Sequence, residues 1–325
     1  MEFSRLLVRA TNWVGDAVMS LPALAALRAA HTNAHIAILA RPWVADLYRR
    51  EPFCDEVILW RGYKPAAIAE LYVKRFDAAL LLQNAFGAAL TARLSGVPRR
   101  IGYDRDARGW LLTDAIDVPR EGEIPPHESY YYLELLRRAK LIDTPLPPEP
   151  SIRLTGVTPR PEDLIGISPG AAYGGAKRWL PERFADAALA VARELRARVL
   201  VFGTATERDV CEQVAYLIRA EGVEARNRAG ETSLAQFIDE VARCRAMITN
   251  DSGSMHIASA VGVPTVAVFG ATSHITTGPT GAHSRVVREP VECSPCLKRE
   301  CPIDHRCMRR VPAERVAAAA LELLK

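Results

Sequence analysis

The chain lacks several features that would settle its chemistry at once, and each absence removes a class. No Gly-x-Gly-x-x-Gly fingerprint follows any apolar strand-like run, which disfavours a nicotinamide enzyme. The longest uncharged run, Ile257 to Ser284, is interrupted by Gly262, Pro264, Gly270, Gly278 and Pro279, so it is no bilayer span. Near the N-terminus Glu2, Arg5 and Arg9 stand where a signal peptide would need an unbroken apolar stretch, and a cytoplasmic protein is expected. Aromatic residues make up only 7% of the chain and never interleave with basic runs; with a net charge of +4, nucleic acid is not an expected partner.

What is present fits a soluble globular protein of two domains: 325 residues, 49% hydrophobic and 25% charged. Short apolar runs alternate with longer alanine-, leucine- and arginine-rich segments from end to end. "RLLVRA", "HIAILA", "EVILW" and "DAALLLQ" recur in the first half, and "LIGISPG", "RVLVFG", "AMITND" and "TVAVFG" in the second. Such alternation predicts parallel sheets with helices on both faces, an α/β fold. Between the halves, "PLPPEP" at 145–150 places four prolines in six positions, a stiff linker. The expected domains are 1–150 and 151–325, with a cleft between them.

Ligands of parallel sheets sit beyond the carboxyl ends of the strands. There the second half carries "NDSGSMH". Its helix is expected over Ser252 to Val261, closed by Gly262 with Pro264 beyond. The first turn offers free amides and the positive dipole end, Gly253 permits close approach of an anion, and His256 follows Ser252 by one turn. Simple capping by Asp251 or Ser252 is the rival reading. A second loop, "ISPGAAYGGAKRWLPERFA", frees its backbone with Gly170, Gly174 and Gly175 before Lys177 arrives. Ala176 precedes that lysine and Arg178 follows it, so no hydroxyl is placed for magnesium and a hydrolytic P-loop is rejected. A third loop, "VFGTATERD", puts Thr204, Thr206 and Glu207 on the same rim, where Glu207 either meets ribose hydroxyls or lies in a helix's first turn.

In the first half, "RLLVRA" runs into "TNWVGDAVMSLPAL". Asp16 there is expected to face the cleft as a general base, or else to cap a helix. Pro22 either kinks that helix or marks a later start capped by Ser20. Asp104-Arg105-Asp106 has the form of a metal-holding triplet, but Arg99, Arg100, Arg105 and Arg108 around it favour a solvated charged face. Seven cysteines include Cys54, Cys211 and Cys244, expected as small buried hydrophobes. Cys293, Cys296, Cys301 and Cys307 form C-x₂-C-x₄-C-x₅-C, which suits a structural zinc or iron site with His305 in reserve, or simply free thiols.

Taken together, "NWVGDAVMSLPAL", "PGAAYGGAKRW", "NDSGSMHIASAVGVPTVAVFGAT" and "ECSPCLKRECP" resemble the bacterial lipopolysaccharide heptosyltransferases, glycosyltransferase family nine. The resemblance implies a GT-B fold of two Rossmann-like domains facing across a cleft, acceptor on the first and ADP-heptose on the second. It implies Asp16 as catalytic base, and Lys177, Thr204, Glu207, Thr232, Asp251, Ser252, Gly253 and His256 as donor-binding. Asn84, Phe86 and Arg100 are acceptor-binding candidates. The implied reaction is inverting transfer of heptose from ADP-L-glycero-D-manno-heptose to a heptose of the lipopolysaccharide inner core, with no cofactor required. "NDSGSMH" keeps the family's type II pattern rather than type I. A type I enzyme and a protein O-heptosyltransferase are the alternatives within the family, and a non-catalytic nucleotide-sugar-binding module the alternative outside it. The implied acceptor, lipid A-core, places the protein in the cytoplasm at the inner face of the inner membrane.

Overall fold

The computed structural model describes residues 3–325 and divides into two compact units, Met1–Ser151 and Ile152–Lys325. The N-terminal unit is built on β1 (Arg5–Arg9), β2 (His35–Ala40), β3 (Glu56–Leu59), β4 (Ala78–Leu81), β5 (Arg99–Tyr103) and β6 (Asp114–Ile116). These pair in the order β3-β2-β1-β4-β5-β6, every pairing parallel. The C-terminal unit repeats the plan with β7 (Leu164–Ser168), β8 (Arg198–Val201), β9 (Ala225–Asn227), β10 (Ala246–Asn250), β11 (Thr265–Phe269) and β12 (Ser284–Arg288). Their order is β12-β11-β10-β7-β8-β9, again all parallel. The expected α/β class is therefore the observed one.

The inner strands β4, β7, β10 and β11 are buried at every residue, in keeping with the mainly apolar sequences of strands covered on both faces. In the C-terminal unit Ile165, Ile167, Ile248, Val266 and Val268 form one core with the amphipathic helix Pro181–Leu195 and the C-terminal helix Ala313–Glu322. In the N-terminal unit Leu7, Leu39, Trp60, Phe76 and Leu81 play that part. Cys211 and Cys244 lie in the interior, whereas Cys54 is half-buried.

Four strands escaped the sequence reading: β5, β6, β9 and β12. Three of them, β6, β9 and β12, are edges, where short polar strands are the rule because unpaired backbone must be kept from pairing with other chains. The fourth, β5, opens on Arg99-Arg100 and becomes buried only at Ile101.

Six helices of the N-terminal unit are needed below: α1 (Val14–Met19), α2 (Leu21–Ala30), α3 (Pro42–Arg49), α4 (Pro65–Val73), α5 (Phe86–Leu94) and α6 (Glu128–Arg138). Pro22 marks a later start: α1 ends and α2 begins at Ser20, with Pro22 in the first turn of α2, where a missing N–H costs nothing. Ser20 does not cap α2 with its side chain; its hydroxyl donates to the Ala17 carbonyl at 2.8 Å.

Candidate functional site

In each sheet the strand order reverses once, between β1 and β4 and between β7 and β10. A crevice opens at the carboxyl ends of such a pair because the flanking connections run to opposite faces. The charged loops of this chain lie at those two places.

In the C-terminal unit the loop after β7 and the turn after β10 are sewn together by Asn250. Its Nδ2 donates to the carbonyls of Pro169 (2.7 Å) and Gly170 (3.3 Å), and its Oδ1 accepts from the Trp179 amide at 2.9 Å. Asn250 is fully buried, so these bonds are unshielded by water and fix the loop. Lys177 ends a short 3₁₀ turn within that loop, and its Nζ lies 2.6 Å from Asp251 Oδ2. The Thr272 hydroxyl, from the loop after β11, donates to the same oxygen. Both side chains are largely enclosed, Asp251 at 4% and Lys177 at 13% exposure. The ammonium also lies 4.8 Å from the centre of the Tyr173 ring, a cation–π distance.

The helix after Asp251 runs Gly253–Val261 and stops on Gly262, whose φ of 91° is left-handed and comfortable only for glycine. Its N-cap residue is Ser252, yet no side-chain cap hydrogen bond forms; Ser252 Oγ instead lies 3.2 Å from Thr249 Oγ1. No acid occupies the first turn. The helix thus starts without a side-chain cap or a neutralising carboxylate of its own, conditions that favour an anion there. Ser254 in this turn accepts a hydrogen bond from Ser168 at 2.9 Å. His256 is 6% exposed, its ring packed inside the unit.

Glu207 is also interior, at 8% exposure. Its Oε2 accepts from Thr204 N (2.9 Å) and Thr204 Oγ1 (2.8 Å), a capping box that closes the loop after β8. A Cβ at Gly170 would fall 2.2 Å from Glu207 Oε1, so a larger residue there would displace the Glu207 carboxylate from its capping box. Thr206 Oγ1 meets Thr204 Oγ1 at 3.0 Å, and Thr232 lies in the loop after β9, half-buried. The structure therefore gathers Lys177, Thr204, Glu207, Thr232 and Asp251–Gly253 at the carboxyl end of one sheet.

A brace from the cysteine-bearing segment was not foreseen. Arg299 O accepts from the Ala176 amide and Glu300 Oε1 from the Gly175 amide, each at 2.9 Å, while Tyr173 OH donates to Leu297 O at 2.7 Å. His305 Nε2 lies 3.1 Å from Ala176 O. A Cβ at Gly174 would come within 2.3 Å of Arg299 O. Gly174 and Gly175 thus serve contact with this segment and, through it, the position of Lys177. Cys293, Cys296, Cys301 and Cys307 carry no disulfide, and the three others add to burial in pushing the Cys307 thiol up. Among the described residues no three His, Cys, Asp or Glu side chains converge as metal ligands would, and we derive no step through a metal.

In the N-terminal unit Asp16 lies in the first turn of α1, after β1; the residue in the cap position is Trp13. The Asp16 carboxylate is felt by Tyr48 on α3 and by two residues of α6. Burial, and then Asp16, pushes Glu128 at the start of α6 up to about 7, and both act on Tyr132 one turn later. Glu128 carried no sequence signal beyond an acid in a helix's first turn. Asn84 and Phe86 follow β4, across the reversal from Asp16. Asn84 Nδ2 donates to Tyr131 OH at 3.0 Å and its Oδ1 accepts from Arg108 at 3.1 Å, whereas Phe86 is 39% exposed beside Trp110. Arg100 stands apart, at the amino end of β5, with its guanidinium committed to the carbonyls of Leu111, Val97 and Pro98.

Arg108 corrects the expectation of a solvated face. It is fully buried, donates to the carbonyls of Tyr103 and Gln83 and to Asn84, and is pushed down to about 10 by burial. Asp104, Arg105 and Asp106 are exposed, and Arg105 pairs with Asp106 at 3.7 Å.

Two Rossmann-like units, each with its charged loop at the reversal of a parallel sheet, are the plan of the GT-B fold. The glycosyltransferase family 9 (heptosyltransferase) model matches residues 66–306. Lipopolysaccharide heptosyltransferase 2 of Salmonella typhimurium is 33% identical over 87% of this chain and 88% of its own length, and that of Escherichia coli is 32% identical over the same shares. The solved E. coli ADP-heptose lps heptosyltransferase II superposes with a TM-score of 0.81 at 30% identity, covering 98% of both chains. The chain belongs to glycosyltransferase family 9, the heptosyltransferase family.

Proposed function

We propose that this enzyme transfers a heptose from ADP-L-glycero-D-manno-heptose to a heptose of the lipopolysaccharide inner core, the reaction of a heptosyltransferase II. The observation that carries the reading is the Lys177–Asp251 pair beside a helix start that has no side-chain cap. An ammonium and the free amides of a helix start are what a departing nucleoside diphosphate needs as its charge grows. The curated relatives above 30% identity bear the type II name, which supports the choice within the family.

In this reading the donor diphosphate lies against Lys177 and the first turn after Ser252. Thr204, Glu207 and Thr232 form the nucleoside side of the same rim. Asp16 takes the proton of the acceptor hydroxyl, whose oxygen attacks the anomeric carbon. The bond from that carbon to the diphosphate breaks, ADP leaves with its electron pair, and the configuration inverts. Lys177 and the helix dipole supply the positive charge, so the scheme calls for no metal. Asn84, presented by Arg108 and Tyr131, and Phe86 are the acceptor-side groups.

Among the described residues no helix is long and apolar enough to cross a membrane. We assign contact with a lipid surface to the face around α4. Tyr63, Tyr72 and Leu94 are more than half exposed there around a shallow groove that also takes in Lys64, and Val73 is exposed at the end of α4. Flotation with anionic vesicles should carry the wild-type protein and leave a Tyr72→Ser/Leu94→Ser variant behind; equal flotation would remove the assignment.

Mass spectrometry of products decides the main reading. ADP-heptose is supplied with lipid A-core acceptors bearing no heptose or one. Extension of the one-heptose acceptor alone is expected. Extension of the heptose-free acceptor instead would make the enzyme type I, and transfer to neither would refute both.

A further inference from the structure

The carboxyl ends of β1 and β2 hold a group that none of the chemistry above uses. Arg9, the last residue of β1, is 3% exposed. Its Nη1 donates to the carbonyls of Ala10 (2.8 Å) and Leu39 (3.1 Å), and its Nη2 to Asn12 Oδ1 at 3.1 Å. Its Nε is buried without a partner. Among the described residues no carboxylate pairs with it; the strongest charge acting on it is Arg41, a second cation, and burial together with Arg41 pushes it down to about 10. Arg41, just after β2, likewise has a buried Nε without a partner and makes no ion pair among the described residues.

A buried cation set beside another cation is unfavourable unless something negative is to be bound. A purely structural strut accounts for Arg9 and its bonds to the ends of β1 and β2, but it gives no reason for Arg41 to stand against it. Two further features point the same way. Arg41 is the N-cap residue of α3, whose first turn holds no acid, so the positive dipole end faces this place. The exposed Trp43 is fixed by its indole N–H, which donates to Asn12 O at 2.8 Å, and its ring lies 5.5 Å from the Arg41 guanidinium. Tyr48, buried on α3, senses both Arg9 and Asp16, so Arg9 and the proposed base act on one side chain.

We propose that Arg9 and Arg41 form an anion-binding subsite that holds a carboxylate or phosphate group of the acceptor while Asp16 addresses the acceptor's hydroxyl. The proposal rests on the transferase reading for its ligand, though not for its geometry. The Arg41 guanidinium, which is only part-buried, offers paired N–H donors that match either anion, whereas those of Arg9 are spent on Ala10, Leu39 and Asn12. Arg41 is the specificity residue, and Arg9 behind it deepens the positive potential.

The full chain is tested in two ways. The first is steady-state transfer by the wild type, Arg41→Ala and Arg41→Lys on the native acceptor, on acceptor treated with phosphatase, and on acceptor with its carboxyl groups reduced. On the native acceptor Arg41→Ala should raise the acceptor KM by about tenfold or more, with kcat and the ADP-heptose KM within about twofold. Arg41→Lys should recover part of the loss. Removing the recognised anion from the acceptor should abolish the difference between wild type and variant, and which treatment does so identifies phosphate or carboxylate. An Arg41→Ala effect that is absent, or equal on all three acceptors, overturns the proposal.

The second test needs no transfer. Tryptophan fluorescence is followed during titration with inorganic phosphate against chloride at matched ionic strength. A saturable change is expected in the wild type and its loss in Arg41→Ala and in Trp43→Phe; a flat wild-type titration overturns the subsite even in an active enzyme. Saturation in a protein that transfers no heptose would keep the subsite and discard the transferase reading. Arg9→Met tests the deeper cation, and if it does not fold, Arg41→Ala still carries both measurements.

Discussion

Lys177 and Asp251 meet as an ion pair, Nζ to Oδ2 at 2.6 Å, where β7 and β10 part. The pair joins two loops that are far apart in sequence and holds the lysine at the carboxyl end of the sheet. Asp251 is nearly buried, so its charge depends on Lys177 and the Thr272 hydroxyl.

Lys177→Ala should therefore lose on two counts. It removes a contact to the donor diphosphate, and it strands a buried carboxylate at a cost of about 3–5 kcal/mol. Calorimetry with ADP should show affinity weakened about tenfold or more. Adding Asp251→Asn should restore much of the stability in a denaturant titration while ADP affinity stays low. Recovery of ADP affinity in the double variant would show that the lysine serves the fold and not the ligand.

Asp16 divides differently. Asp16→Asn keeps the shape of the first turn of α1 and removes the base, so kcat should fall by about 10²–10⁴. ADP affinity should be unaltered, because the donor loops belong to the other unit. Full turnover in Asp16→Asn would take the base from the mechanism.

Gly174 tests the brace. An added methyl would sit 2.3 Å from the Arg299 carbonyl, which is backbone and cannot swing aside. Gly174→Ala should cost about 1–3 kcal/mol of stability as an overpacked contact. It should also weaken ADP through displaced Lys177, so its effect on ADP should largely vanish in a Lys177→Ala background. Additive losses would show that the brace acts on ADP by some other route.

The sequence announced inner strands and the start of the Asp251 helix clearly, because each rests on local physics. "AMIT" and "TVAVF" are mainly apolar because both faces are covered, and Gly262 closes the helix where a left-handed residue is needed. What was hidden depended on partners distant in the chain. Glycines 170, 174 and 175 look like flexible phosphate-loop residues, yet Glu207, Arg299 and Glu300 are the groups that crowd them. Arg108 sits in a charged run that suggests solvent, and only the folded sheet shows its bonds to Tyr103, Gln83 and Asn84. The edge strands β6, β9 and β12 carry too few apolar residues to register as strands alone, whereas β3, also an edge, reads plainly as "EVIL".

Glu128 provides a pH signature that ties α6 to Asp16. Its folded value is pushed from 4.5 to about 7 by burial first and by Asp16 second. Between these values the folded chain keeps a proton that the unfolded chain has lost. Stability contributed by Glu128 must therefore fall as pH rises from about 4.5 to about 7, and stay level above. Glu128→Gln has no such proton to lose, so relative to the wild type it should gain up to about 3 kcal/mol between pH 5 and pH 8. Urea titrations of both proteins at the two pH values measure the gain directly. In an Asp16→Asn background the gain should shrink but persist, because burial outranks the neighbouring charge. Parallel pH profiles for Glu128→Gln and wild type would mean that Glu128 titrates normally and that Asp16 does not lie against α6.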